Sequence, residues 1–184
     1  LVAGRIRQLR GCEAVAAQPT GVAASAGTAG GVGLVAGNSR TEVHAERRAA
    51  LLRANGDVIN PDGSPLVTFS ANPVGKRLAF RHRNHLSVMS AQNITSNGQV
   101  MDFTTPSFQA YGANAMQTDG IRTGLWPGDV NTDGLVRYTG SANDRDPILV
   151  AIGGTVPTST VTGYRREDVN MDGIVKYVGA ANDR

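Results

Sequence analysis

Gly-Asp-Val-Asn-Thr-Asp-Gly-Leu-Val-Arg-Tyr-Thr-Gly-Ser-Ala-Asn-Asp-Arg occupies residues 128–145, and residues 167–184 repeat it as Glu-Asp-Val-Asn-Met-Asp-Gly-Ile-Val-Lys-Tyr-Val-Gly-Ala-Ala-Asn-Asp-Arg. Asp129 maps onto Asp168, Asn131 onto Asn170, Asp133 onto Asp172, Gly134 onto Gly173, Tyr138 onto Tyr177 and Asp144 onto Asp183, with a period of 39 residues. A single Asp-x-Asn-x-Asp-Gly arises often as a solvated turn. Two copies in register, each with an apolar residue two places after the glycine, point to a pair of built loops.

Oxygen side chains at alternate positions suit a hard cation. Calcium takes about six to eight oxygens at about 2.3–2.6 Å, and a short loop supplies them while its backbone curls around the ion. Asp129, Asn131 and Asp133 stand at loop positions 1, 3 and 5, Gly134 permits the sharp turn at position 6, and Leu135 offers its carbonyl at position 7. Val136 follows as the apolar residue expected to pair one loop with the other. Asp168, Asn170, Asp172, Gly173, Ile174 and Val175 repeat each role. Two calcium ions are therefore expected; magnesium, which prefers fewer protein ligands in a stricter octahedron, is the lesser alternative.

The loops resemble the EF-hand and, more closely, the duplicated calcium loops of dockerin type I modules, in which only the helix after each loop is retained. That resemblance implies an acid at position 12, which falls here on Gly140 and Gly179. A later acid must close the site. Asp146 is the favoured closing ligand, because Asp-Pro-Ile-Leu-Val-Ala-Ile-Gly-Gly reads as an N-cap, a first-turn proline, an apolar helix and a glycine stop. Asp144 or Asn143 is its competitor, and Asp183 repeats Asp144 in the second copy.

From about Ala49 onward the chain is also similar to C-terminal modules of large secreted proteins of environmental bacteria. Arg-Ala-Ala-Leu-Leu-Arg-Ala-Asn-Gly-Asp-Val, Arg-His-Arg-Asn-His-Leu-Ser-Val-Met and Trp-Pro-Gly-Asp-Val-Asn carry the match. The resemblance implies a β-sandwich before the loops, a secreted or cell-surface location and no catalytic activity.

Upstream, Asn55-Gly56-Asp57, Asn60-Pro61-Asp62-Gly63 and Asn97-Gly98 punctuate short apolar stretches. Strands are expected within 66–70, 77–90 and 99–104, and residues 46–54 suit either a helical turn or a strand. Residues 20–37 hold 11 Gly or Ala in 18, which reads as linker, with a short edge strand the alternative around Val32, Leu34 and Val35. The expected architecture is mainly β. Residues 1–37 form a Gly/Ala-rich linker or irregular extension, 38–115 an Ig-like β-sandwich, and 116–184 a dockerin-like module of two calcium loops with short helices.

Composition excludes several classes. The 23 glycines and 5% aromatics disfavour a helical bundle, and the single Cys12 cannot form an internal disulfide or a cysteine-based zinc site. No apolar run approaches the roughly 20 residues that span a bilayer, so membrane insertion is not expected. The chain starts at Leu1 and reads as an internal fragment. The pI near 9.4 does not point to nucleic acid, because the basic residues are scattered without aromatic companions. Residues 1–125 hold 12 basic and 7 acidic side chains, against 6 and 8 in 126–184, so the acid lies with the loops.

Arg81-His82-Arg83-Asn84-His85 is the most conspicuous polar run. If the strand through Leu78 and Phe80 continues, His82 and Asn84 share its apolar face, while Arg81, Arg83 and His85 form a basic solvated face; the two histidines then point apart, which argues against a shared metal. Trp126 is expected to be a packing residue. No nucleophile elbow surrounds any serine, so no enzyme is expected. The functional expectation is a non-catalytic, calcium-binding structural module; the alternative is a calcium-dependent adhesion or dockerin-like module with a protein or glycan partner, or self-association.

Overall fold

A computed structural model of the chain describes residues 5–6, 9–11, 30–37, 46–53, 55–106 and 110–184, the first three of these stretches through their backbone alone. The fold is mainly β, with one helix among the described residues. The chain separates into two compact units: residues 1–81 with 88–125, and residues 82–87 with 126–184.

The first unit runs β1 (Arg5–Ile6), β2 (Leu9–Gly11), β3 (Gly30–Gly37), β4 (Glu46–Leu52), β5 (Val58–Ile59), β6 (Val67–Phe69), β7 (Arg77–His82), β8 (Val88–Met89), β9 (Met101–Asp102), β10 (Gln117–Thr118) and β11 (Thr123–Gly124). A five-stranded sheet has the order β5-β4-β3-β7-β8, and the other strands pair as β1-β9, β2-β6 and β10-β11. β3 lies inside the stretch read as linker. It is an interior strand rather than an edge, paired with β4 from Gly30↔Leu52 to Ala36↔Glu46. Glycine and alanine hide this in the sequence, because they carry no strand propensity; pairing on both sides supplies the order instead. Residues 12–29 and 38–45, also covered by readings above, lie outside the described residues.

Residues 46–52 have the composition of a helix former, yet form β4. Cross-strand pairing and the alternating burial of Ala50 and Leu52 override propensity. The same alternation along β7 buries Leu78, Phe80 and His82. Leu78 and Phe80, with Ala50, Leu52, Val58, Val67, Phe69, Val88, Ile94, Met101, Phe103 and Leu125, belong to the first core. Phe80 and Phe103 stack with ring centroids 6.1 Å apart, and each fully buried ring contributes about 2–3 kcal/mol.

The second unit contains α1 (Arg145–Ala151) and a hairpin of β12 (Thr160–Thr162) and β13 (Ile174–Lys176). Its core is Val130, Ile148, Ile152 and Val175. α1 starts one residue before the expected cap Asp146: Asp144 is its N-cap residue, and the capping acceptor is Asn143 Oδ1, which takes the N–H groups of Arg145 and Asp146 at 3.1 Å. It ends, as expected, at glycine: Gly153 and Gly154 donate back to Val150 and Leu149. The loops do not pair through Val136 and Val175. Val175 is buried and pairs with Val161 in the hairpin, whereas Val136 is 49% exposed.

Candidate functional site

The two loops share the same set of side-chain-to-backbone hydrogen bonds. Asp129 is buried and faces the Gly134 N–H at 3.3–3.4 Å; Asp168 accepts the Gly173 N–H at 3.1 Å. Asn131 and Asp133 each accept the N–H two residues on, at 2.9 Å in both cases, and Asn170 and Asp172 repeat these turns at 2.8 and 2.9 Å. Such Asx turns give the chain its curl without a regular ladder. Leu135 and Ile174 are the N–H donors to Asp133 and Asp172. Gly134 and Gly173 have φ of 82° and 86°, in the left-handed region that glycine enters without strain. Thr132 and Met171 share that region at 62° each, as do Ala142 at 57° and Ala181 at 52°, so the period of the sequence is also a period of unfavourable backbone.

The carboxylate that ties each loop is Asp144 or Asp183. Asp144 Oδ1 accepts the N–H groups of Val130 at 2.8 Å and Asn131 at 3.2 Å, and Oδ2 accepts that of Arg137 at 2.8 Å. Asp183 makes the matching bonds to Val169, Asn170 and Lys176 at 2.8, 3.1 and 2.7 Å. Asp146 is exposed, and its Oδ2 accepts the Asn143 Nδ2–H at 2.8 Å. Asn143, the other competitor, has its oxygen committed to the start of α1. The following arginines stack on the repeated tyrosines: Arg145 over Tyr138 at 4.2 Å and Arg184 over Tyr177 at 5.3 Å.

Charge is concentrated in these loops. Burial raises the Asp129 carboxyl above its ordinary range, and the nearby carboxylates of Asp144 and Asp133 raise it further, against the lowering effect of the Gly134 N–H. Burial likewise raises Asp183, with Asp168 adding to it. Asp168 is 2% exposed, and its Oδ1 has no hydrogen-bond partner. Crowded carboxylates, a carboxamide oxygen and a buried orphan oxygen are the donor chemistry of a hard cation. Cations of the chain itself partly answer the charge: Arg137 meets Asp133 at 2.5 Å and Lys176 meets Asp172 at 3.9 Å. Among the described residues no group of three or more His, Cys, Asp or Glu side chains is placed to hold a metal ion.

The polar run departs from the strand extrapolation. β7 ends at His82 and the chain turns at Arg83 and Asn84, so His82 and His85 face one another, with Nδ1 atoms 2.9 Å apart and rings edge to face at 4.7 Å. His85 Nδ1 also lies 2.7 Å from Asn84 Oδ1. Burial, then the charge of Arg83, lowers His82 to about 4. Burial, then His82 and Arg83, lowers His85 to about 3. Both rings are therefore neutral at physiological pH. Arg83 is not on a solvated face either: its guanidinium stacks on Tyr164 at 3.8 Å and approaches Asp168 Oδ2 at 3.5 Å. Asn84 is fully buried and donates through Nδ2 to the carbonyls of Arg166 at 2.9 Å and Asp168 at 2.6 Å. Sequence reading missed these contacts to the second loop, because they span more than 80 residues and belong to no motif. Trp126, expected to pack, is 40% exposed.

No helix among the described residues is long and apolar enough to cross a membrane. Comparison with known proteins found no matching family model, no similar curated protein and no similar solved structure.

Proposed function

We propose that the protein is a non-catalytic calcium-binding module of a secreted or cell-surface bacterial protein, rigidified by two calcium ions. The observation that carries this reading is the doubled loop: two segments 39 residues apart fold through matching hydrogen bonds and crowd buried carboxylates that the protein leaves only partly neutralised. Asp129, Asn131, Asp133 and the Leu135 carbonyl would hold one ion, and Asp168, Asn170, Asp172 and the Ile174 carbonyl the other. Asp144 and Asp183 close the loops, directly or by holding their backbone. The dockerin-like resemblance and the extracellular location belong to this proposal, as does a sandwich arrangement of the strands in the first unit.

The ion would act by stability. At about 100 times its dissociation constant, a ligand specific for the folded state adds about 2.7 kcal/mol per site. Calorimetric titration of the full chain with calcium should give two ions bound, and a chelator should lower the melting temperature. Absence of heat on titration, with unfolding unchanged by the chelator, refutes the reading. The alternative function, calcium-dependent attachment to a protein or glycan, shares this chemistry and would show as a partner captured only in calcium.

A further inference from the structure

The two loops also differ in the charge that stands beside position 1, which their sequences do not show. Beside the second loop stands Arg83, carried on the turn after β7. Its side chain is 13% exposed, its guanidinium lies 3.5 Å from Asp168 Oδ2 and stacks on Tyr164, and the neighbouring Asn84 fastens the same turn to the Asp168 carbonyl. Asp129, the counterpart of Asp168, has no Lys, Arg or His within ion-pair distance among the described residues. The first loop thus keeps its position 1 charge open to a cation, whereas the second already has one tethered there.

We propose that Arg83 is a built-in competitor of calcium at the second loop, making that loop the weaker site and keeping it folded without an ion. The inference rests on the calcium reading of the loops. A guanidinium held in a mostly buried position attracts Asp168 and repels an arriving divalent cation, and both effects lower ion affinity. Asp168 Oδ1 and Arg83 Nε are both buried without a hydrogen-bond partner, so the pair is incompletely made. That is the geometry of an interaction that can yield to an ion, unlike a closed bidentate salt bridge. Calcium would then fill the first loop at lower concentration and the second at higher concentration, and the second step would loosen the Arg83 turn.

Asp129→Asn weakens the first site and leaves the second to be titrated. In that background, Arg83→Met should tighten calcium binding about tenfold by relieving the adjacent charge, while Arg83→Lys, which keeps the charge, should stay near the parent value. In chelator the same Arg83→Met exchange should have the opposite sign, raising amide hydrogen exchange at residues 82–87 and 168–173. An unchanged or weaker second site in Arg83→Met, in a chain that still binds calcium, overturns the competitor role and makes Arg83 a structural clamp. Failure of the unmodified chain to bind calcium at all refutes the calcium reading, and this inference with it. Near-ultraviolet circular dichroism of each variant confirms that it is folded before its affinity is compared.

Discussion

Asp144 reaches back 14 residues to accept the Val130 N–H at 2.8 Å, and the same carboxylate also takes the N–H groups of Asn131 and Arg137. One side chain thereby holds the two ends of the loop together. Asp144→Ala leaves three N–H groups without their charged acceptor and should destabilise the second unit by about 3 kcal/mol or more. Asp146→Ala, which touches only the exposed first turn of α1, should cost about 0.5 kcal/mol. Urea denaturation of both variants checks the ranking, and equal losses would contradict it.

Asp129→Asn should change sign with calcium. A carboxyl raised in the folded state disfavours its own ionisation there, so the charge weakens the fold once the pH passes the unfolded value and climbs through the folded one. In chelator at neutral pH the isosteric amide should therefore be neutral or slightly stabilising. On the proposed calcium reading, in millimolar calcium it should lower the melting temperature, because a charged ligand would be gone. Paired thermal scans of wild type and variant decide this.

Gly128 has φ of 109°, and a Cβ built there would stand 3.2 Å from Val136 Cγ1. Gly128→Ala should cost about 1–3 kcal/mol of backbone strain, with crowding added. The second copy has Glu167 at this position, without a positive φ, so Glu167→Ala should fall within about 0.5 kcal/mol of wild type. A tolerated Gly128→Ala would show that the loop entrance is free to rearrange.

The His82–His85 pair predicts acid sensitivity. Both rings are lowered in the folded state, to about 4 and about 3, so the unfolded chain binds protons first. Stability that is full above about pH 6.5 should fall as the pH drops toward the folded values, by an order of 2 kcal/mol for each ring near pH 5. Denaturation midpoints between pH 7 and 5 test this, and replacing both histidines with glutamine should flatten the slope.

The second unit was legible where chemistry repeats in sequence. Asp129, Asn131, Asp133 and their copies announce a loop, and Ile148 and Gly153 announce a helix and its end. Where long-range pairing decides, the sequence misleads. Gly30–Gly37 looks like linker but is an interior strand, and Glu46–Leu52, whose residues suit a helical turn or a strand, is held extended by its neighbours. Asp146 reads as the closing acid because its Pro147 neighbour is a good helix starter. That Asp144 rather than Asp146 accepts the loop's N–H groups goes with Asn143 capping α1, which no spacing rule reveals. Extending β7 past His82 puts Arg83 and His85 on a solvated face, and the turn at Arg83 and Asn84 reverses both.

The second unit is not a contiguous piece of chain. Asn84 donates to the carbonyl of Asp168, 84 positions away, and residues 82–87 belong to the same compact unit as 126–184. A peptide of residues 126–184 alone lacks the donor for that carbonyl and the guanidinium beside Asp168. During synthesis the turn bearing Asn84 emerges long before its acceptors and must wait for them. Closing so long a loop is slow, so maturation of the second loop is expected to be the last step of folding.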